Sequence, residues 1–168
     1  RLVRPDRARP LTHSLRTAAL GAAVALALGC GDDGSNRRAQ VADRGAEVMP
    51  FDLDPTTHHF EPVDDGLVET VVADEPIDDE QVGLIQEHLQ EEAGRFSRGD
   101  YSDPAAIHGD DMPGLADLEA GADAITIDYE AVDDGATVMF TTDDPQLVIA
   151  LHRWAAAQTA DHGDHAER

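Results

Sequence analysis

Lysine is missing from the chain altogether. The 12 basic residues are all arginines, against 35 acidic residues, for a formal net charge of −23. Without lysine there is no Schiff-base nucleophile and no phosphate-binding loop of the G-x-x-x-x-G-K type. The negative excess repels phosphate backbones and so excludes nucleic acid as a partner. It suits a well-solvated protein in salt, or one that attracts cations. A GC-rich coding sequence, which favours Arg, Ala, Gly and Asp over Lys, gives the same composition. The single cysteine, Cys30, allows no internal disulfide. After it the serines are Ser35, Ser97 and Ser102, none of them in a G-x-S-x-G elbow. The longest apolar run, Ala18 to Leu28, falls well short of the about 20 residues that a membrane-spanning helix needs.

What is present begins with the parts of an export signal. Arg1, Arg4, Arg7, Arg9 and Arg16 form a basic region, Ala18 to Leu28 a short apolar core, and Gly29-Cys30 the break. Leu-Ala-Leu-Gly-Cys resembles a bacterial lipobox. This predicts a signal peptide over 1–29, with Cys30 becoming a lipidated N-terminus that anchors the protein to a membrane. Ordinary secretion with a free thiol is the alternative. Residues 31–56 show no apolar periodicity and read as a flexible linker. The expected domain spans 57–160, with an acidic, histidine-containing tail over 161–168.

Within that domain the same order of signals occurs twice. Thr57 to Val63 and Leu67 to Ala73 flank Asp64-Asp65-Gly66. Ala124 to Tyr129 alternate, Asp133-Asp134-Gly135 turns the chain, and Thr137 to Thr142 returns. Asp-Gly between β-branched runs predicts hairpins, with glycine expected to supply a positive φ. Each hairpin precedes an amphipathic helix. The first is capped by Asp78 or Asp79 and carries the stripe Val82, Ile85, Leu89, Ala93 and Phe96. The second is capped by Asp143 or Asp144, has Pro145 in its first turn, and carries Leu147, Val148, Leu151, Trp154 and Ala155. The copies align without gaps from Phe60/Tyr129 to Pro76/Pro145, and a short insert later His88 falls opposite His152. Between the copies, Pro104 and Gly109 mark a loop, and Leu115, Leu118 and Ala122 a short helix begun near Pro113. The expected fold class is α+β: a two-layer ββα–α–ββα sandwich, with one four-stranded antiparallel sheet and the helices on one face.

Histidine is the residue with chemistry to offer. His58, His59, His88, His108, His152, His162 and His165 follow Cys30, and imidazole is the commonest protein ligand for zinc and copper. His108-Gly-Asp-Asp-Met112 pairs a nitrogen with a soft thioether, and His162-Gly-Asp-His165 brings two imidazoles close together. His58 aligns with Ile127, which directs it to the helical layer with His88 and His152. The candidate ligands of a copper or zinc ion are therefore His58, His88, His108, Met112, His152, His162 and His165. None of the spacings forms an H-E-x-x-H or C-x-x-C motif. Packed, hydrogen-bonded histidines at stripe edges are the competing reading for His88 and His152, a solvated tail for His162 and His165, and an apolar helix-start contact for Met112.

The segments Phe51-Asp52-Leu53-Asp54, T-H-H-F, V-V-A-D-E-P, H-L-Q-E-E-A, G-D-Y-S-D-P-A-A-I-H-G-D-D-M-P-G-L, T-T-D-D-P-Q-L-V-I-A-L-H and D-H-G-D-H resemble a group of small exported proteins from high-GC actinobacteria. The likeness covers essentially everything after the linker. Members of that group are often labelled aspartate carbamoyltransferase, an activity that goes with a much longer two-domain α/β fold. The one local echo, Ser14-Leu15-Arg16-Thr17, falls inside the export signal. Three functions follow in order: a metal-binding, membrane-anchored lipoprotein, a metal-free adaptor or scaffold that docks an envelope protein on its open sheet face, and an enzyme. A monomer is expected.

Overall fold

The computed structural model describes residues 32–75, 78–163 and 166–167. The expected export signal, Cys30 and His165 lie outside these residues. The first hairpin is β1 (Thr56–Val63) and β2 (Gly66–Ala73), and the second is β3 (Thr126–Val132) and β4 (Gly135–Thr141). β2 pairs antiparallel with β4, which joins both hairpins in one antiparallel sheet. A two-residue strand β5 (Ala166–Glu167) adds in parallel to β1, giving the order β3-β4-β2-β1-β5. The expected α+β sandwich is therefore present, extended by one short edge strand.

The inner face of the sheet is set by alternation. Phe60, Leu67, Val71, Ala136, Val138 and Phe140 are all buried. They pack beneath α2 (Asp79–Phe96) and α5 (Pro145–His162). Asp78 caps α2 by accepting from the Gln81 N–H at 3.1 Å. Asp144 caps α5 through the Gln146 N–H at 2.8 Å, with Pro145 in the first turn, where a missing N–H costs nothing. The helices are exchanged between the hairpins: α2 lies mainly over β3 and β4, and α5 over β1 and β2. Glu69 and Val138 hold equivalent places in the two copies and are also partners in the β2–β4 ladder. A pseudo-twofold axis therefore passes between them.

Three expectations need correction. Residues 32–48 are not a flexible linker but a helix, α1 (Asp32–Val48), that packs against α5 and against α3 (Ser102–His108). Its buried stripe is only Val41 and Gly45, too thin to register as periodicity. It is held instead by polar contacts from Arg37 and Arg38. The segment around Pro104 is α3 rather than a loop, because proline is tolerated in a helix's first turn. The short helix after it, α4 (Leu115–Gly121), follows an N-cap at Gly114 and so begins two positions beyond the expected start near Pro113. Lastly, Gly66 and Gly135 do not have positive φ. They are required by close approach: a Cβ on Gly66 would lie 1.8 Å from the Phe140 carbonyl oxygen, and one on Gly135 1.9 Å from that of Val71. Gly66→Ala and Gly135→Ala are each expected to destabilise the fold by roughly 2 kcal/mol or more, measured by urea unfolding, because strand backbone must move to make room.

Candidate functional site

Between α2 and α5, on the inner face of the sheet, lies a cavity of about 40 Å³. That is space for a few water-sized centres and too little for an organic substrate. Most of its wall is apolar, with Met49, Phe51, Phe60 and Trp154 among the lining residues, but eight polar side chains also reach it. β1 supplies His58, β2 Glu69, α2 His88 and Glu92, α3 Asp103 and His108, and α5 Gln158 and His162.

Three of the candidate histidines meet at one end. The His58 and His162 rings stack with centroids 4.7 Å apart and planes inclined by 13°. The His108 ring stands edge-on to His162 at 5.2 Å. His108 is 2% exposed, and its Nδ1 is 2.9 Å from Asp161 Oδ2. Asp161 in turn accepts two hydrogen bonds from Arg37, at 2.6 and 2.7 Å, and the same guanidinium donates to the His108 carbonyl at 3.2 Å. Burial pushes the Asp161 carboxyl up, but the bonds from Arg37 and His108 outweigh it and hold the group below its ordinary value. Burial lowers His108 despite Asp161, which favours the neutral ring. A neutral ring donating Nδ1–H to Asp161 carries its lone pair on Nε2.

The other histidines are placed differently. His88 is on the cavity wall, edge-on to Phe51 at 5.7 Å, and burial lowers its pKa against Asp103 and Glu91. His152 is elsewhere: its Nε2 lies 3.0 Å from both the Val63 and Gly66 carbonyls and fastens the first hairpin. Its counterpart is not His88, as the alignment implied, but Gln86, whose Nε2 donates to Val132 O at 2.9 Å, the position equivalent to Val63. Met112 is buried in the apolar core and does not line the cavity. Among the described residues no three His, Cys, Asp or Glu side chains already surround a common point.

The sequence reading missed the carboxylates at the other end. Glu69 follows the same alternation as Leu67 and Val71 and therefore points inward. The row across the sheet reads Phe60, Glu69, Val138, Tyr129. Glu69 is partly buried and lines the cavity, and it makes no hydrogen bond or ion pair among the described residues. Burial and the charge of Glu92 push it up to about 8. Glu92, one position before Ala93 on the α2 stripe, is pushed up to about 7 by burial and Asp103, against Arg95 at 3.0 Å. Gln158 Oε1, Trp154 Nε1 and Tyr101 Oη, all buried, have no hydrogen-bond partner among the described residues. The signal was there: Gln158 and Asp161 continue the stripe of Leu147, Leu151 and Trp154 at helical spacing, so a polar patch inside the core was legible.

No protein-family model, curated protein or solved structure matches the chain.

The raised carboxylates make stability depend on pH. The folded protein holds a proton on Glu69 that the unfolded chain releases above the ordinary value of 4.5. Stability from this group is complete below that value and is lost as pH rises through about 8. Glu69→Gln is therefore expected to match the parent near pH 4 and to exceed it by on the order of 2 kcal/mol at pH 8, measured by denaturant titration across that range.

Proposed function

We propose that this is an exported, membrane-anchored lipoprotein, attached through Cys30, whose domain binds a transition metal, zinc or copper, with His58, His108 and His162. The observation that carries the reading is the His108–Asp161–Arg37 chain. A carboxylate that fixes the tautomer and orientation of a buried, neutral imidazole is the usual support of a metal-ligating histidine. The spacing of the rings agrees. For nitrogens about 2.0–2.1 Å from a tetrahedral ion, ring centroids fall roughly 5 Å apart, against 4.7 and 5.2 Å here. What must change is orientation. The stacked His58 and His162 rings have to turn about their Cβ–Cγ bonds to aim nitrogens at one point, a side-chain movement that leaves the sheet and helices in place. His88 and Met49, on the same cavity, are the nearest further donors. The wider set with His152 and Met112 is not part of the proposed site.

An enzymatic reading has one observation in its favour: His108 shares a cavity with Glu69, Glu92 and Asp103. The small volume limits such chemistry to a molecule of very few atoms.

Purified protein is expected to carry zinc or copper by mass spectrometry. Added metal at a hundredfold excess over Kd should raise stability by about 2.7 kcal/mol. His108→Ala and His58→Ala should each abolish that rise. A parent protein with no bound metal and no metal-dependent rise would refute the reading. Asp161→Asn, which keeps the shape but weakens the hold on the His108 ring, is expected to reduce metal affinity about 10–100-fold, read by competition with a chromophoric chelator.

A further inference from the structure

We propose that the opposite end of the cavity is a binding site for a hard divalent cation of the magnesium or manganese class, with Glu69, Glu92 and the Gln158 amide oxygen as its protein ligands. It adjoins the imidazole set but shares no ligand with it, so it stands independently of the reading above.

Three acceptors line one small space. Among the described residues Glu69 has no cationic partner, and it feels the charge of Glu92. Glu92 has Arg95 on one side only, and that guanidinium is shared with Asp100 and Asp103. Gln158, 5% exposed, lines the same cavity, and its buried Oε1 has no hydrogen-bond donor among the described residues. Acceptors gathered in a core are costly unless a donor or a cation stands between them. Trp154, also in the wall, has a buried Nε1–H donor without a partner among the described residues.

The ligand set identifies the class of ion. It is all oxygen, with two carboxylates and one neutral amide, and lacks the thiolate or imidazole that softer metals favour. Calcium takes about 6–8 oxygens at longer range, more than this wall provides. Magnesium and manganese accept one or two carboxylates and keep several waters, which suits a cavity of about 40 Å³. The position has a further consequence. Glu69 is in the β2–β4 ladder and Glu92 is on α2, so a cation between them ties the sheet centre to the helix that crosses it.

The test uses the full chain and manganese alone, at about pH 8.5 so that protons compete less for the carboxylates. Isothermal titration and water-proton relaxation are expected to give one bound Mn²⁺ per chain. Glu69→Gln should weaken it at least about tenfold, while His108→Ala should leave it unchanged. If the parent binds no Mn²⁺, or Glu69→Gln binds it as the parent does, the proposal is overturned and the unpartnered groups are served by water. Loss of Mn²⁺ in His108→Ala as well would overturn the independence of the two ends. Circular dichroism checks the fold of each variant, and Gln158→Leu carries the same two outcomes if Glu69→Gln does not fold. Zinc or copper binding in the same variants reports separately on the imidazole end.

Discussion

The pairing of β2 with β4 is the contact on which the rest of the molecule depends. It joins two hairpins that would each be a marginal two-stranded ribbon in water. Its register places Glu69 opposite Val138, and the strands approach so closely at Gly66 and Gly135 that no side chain fits. Because α2 and α5 each cross to the other hairpin, neither copy of the repeat buries its own apolar face. The inner surface becomes a single core only when all four long strands and both long helices are present. The cavity therefore sits where the two copies meet, with walls drawn from both.

A second organising group is one carboxylate. Asp161, near the end of α5, receives Arg37 from α1 and His108 from α3. Three helices far apart in the sequence are tied at a single point of low solvent access. The cost of burying that charge is met by two hydrogen bonds from a guanidinium and one from an imidazole. The same arrangement fixes which nitrogen of His108 is left with a lone pair. Structure and chemistry are in this case one set of bonds: the contact that docks α1 also prepares the ring.

The hairpins, both long helices, their aspartate caps and the shared sheet were legible from alternation, helical spacing and turn residues. What stayed hidden was hidden for physical reasons. Helix α1 draws its hold from Arg37 and Arg38 rather than from an apolar stripe, so no periodicity announces it. The glycines of the Asp-Asp-Gly turns were recognised, but their reason lies on a neighbouring strand that local sequence cannot see. The histidine list named His58, His108 and His162, which meet, alongside His152 and Met112, which do not come to the cavity. Spacing alone could not separate them, because the convergence depends on how β1, α3 and α5 are brought together in three dimensions. Glu69, Glu92, Gln158 and Asp161 were obscured by the abundance of acidic residues, although each occupies an inward position of its strand or helix.

The pseudo-twofold axis has a consequence for how such a core can evolve. Two identical half-chains assembling with this topology would form a symmetric dimer through a self-complementary β2 edge, and the two residues on the axis would have to be the same. Such a dimer could bury two valines there or two facing carboxylates, but never one of each. Covalent duplication removes that restriction. With both copies in a single chain, the first could acquire Glu69 while the second kept Val138, so that a lone ionisable group stands at the centre of an otherwise apolar row. An asymmetry of one ionisable group at the symmetry point is open to a fused repeat and closed to its dimeric equivalent.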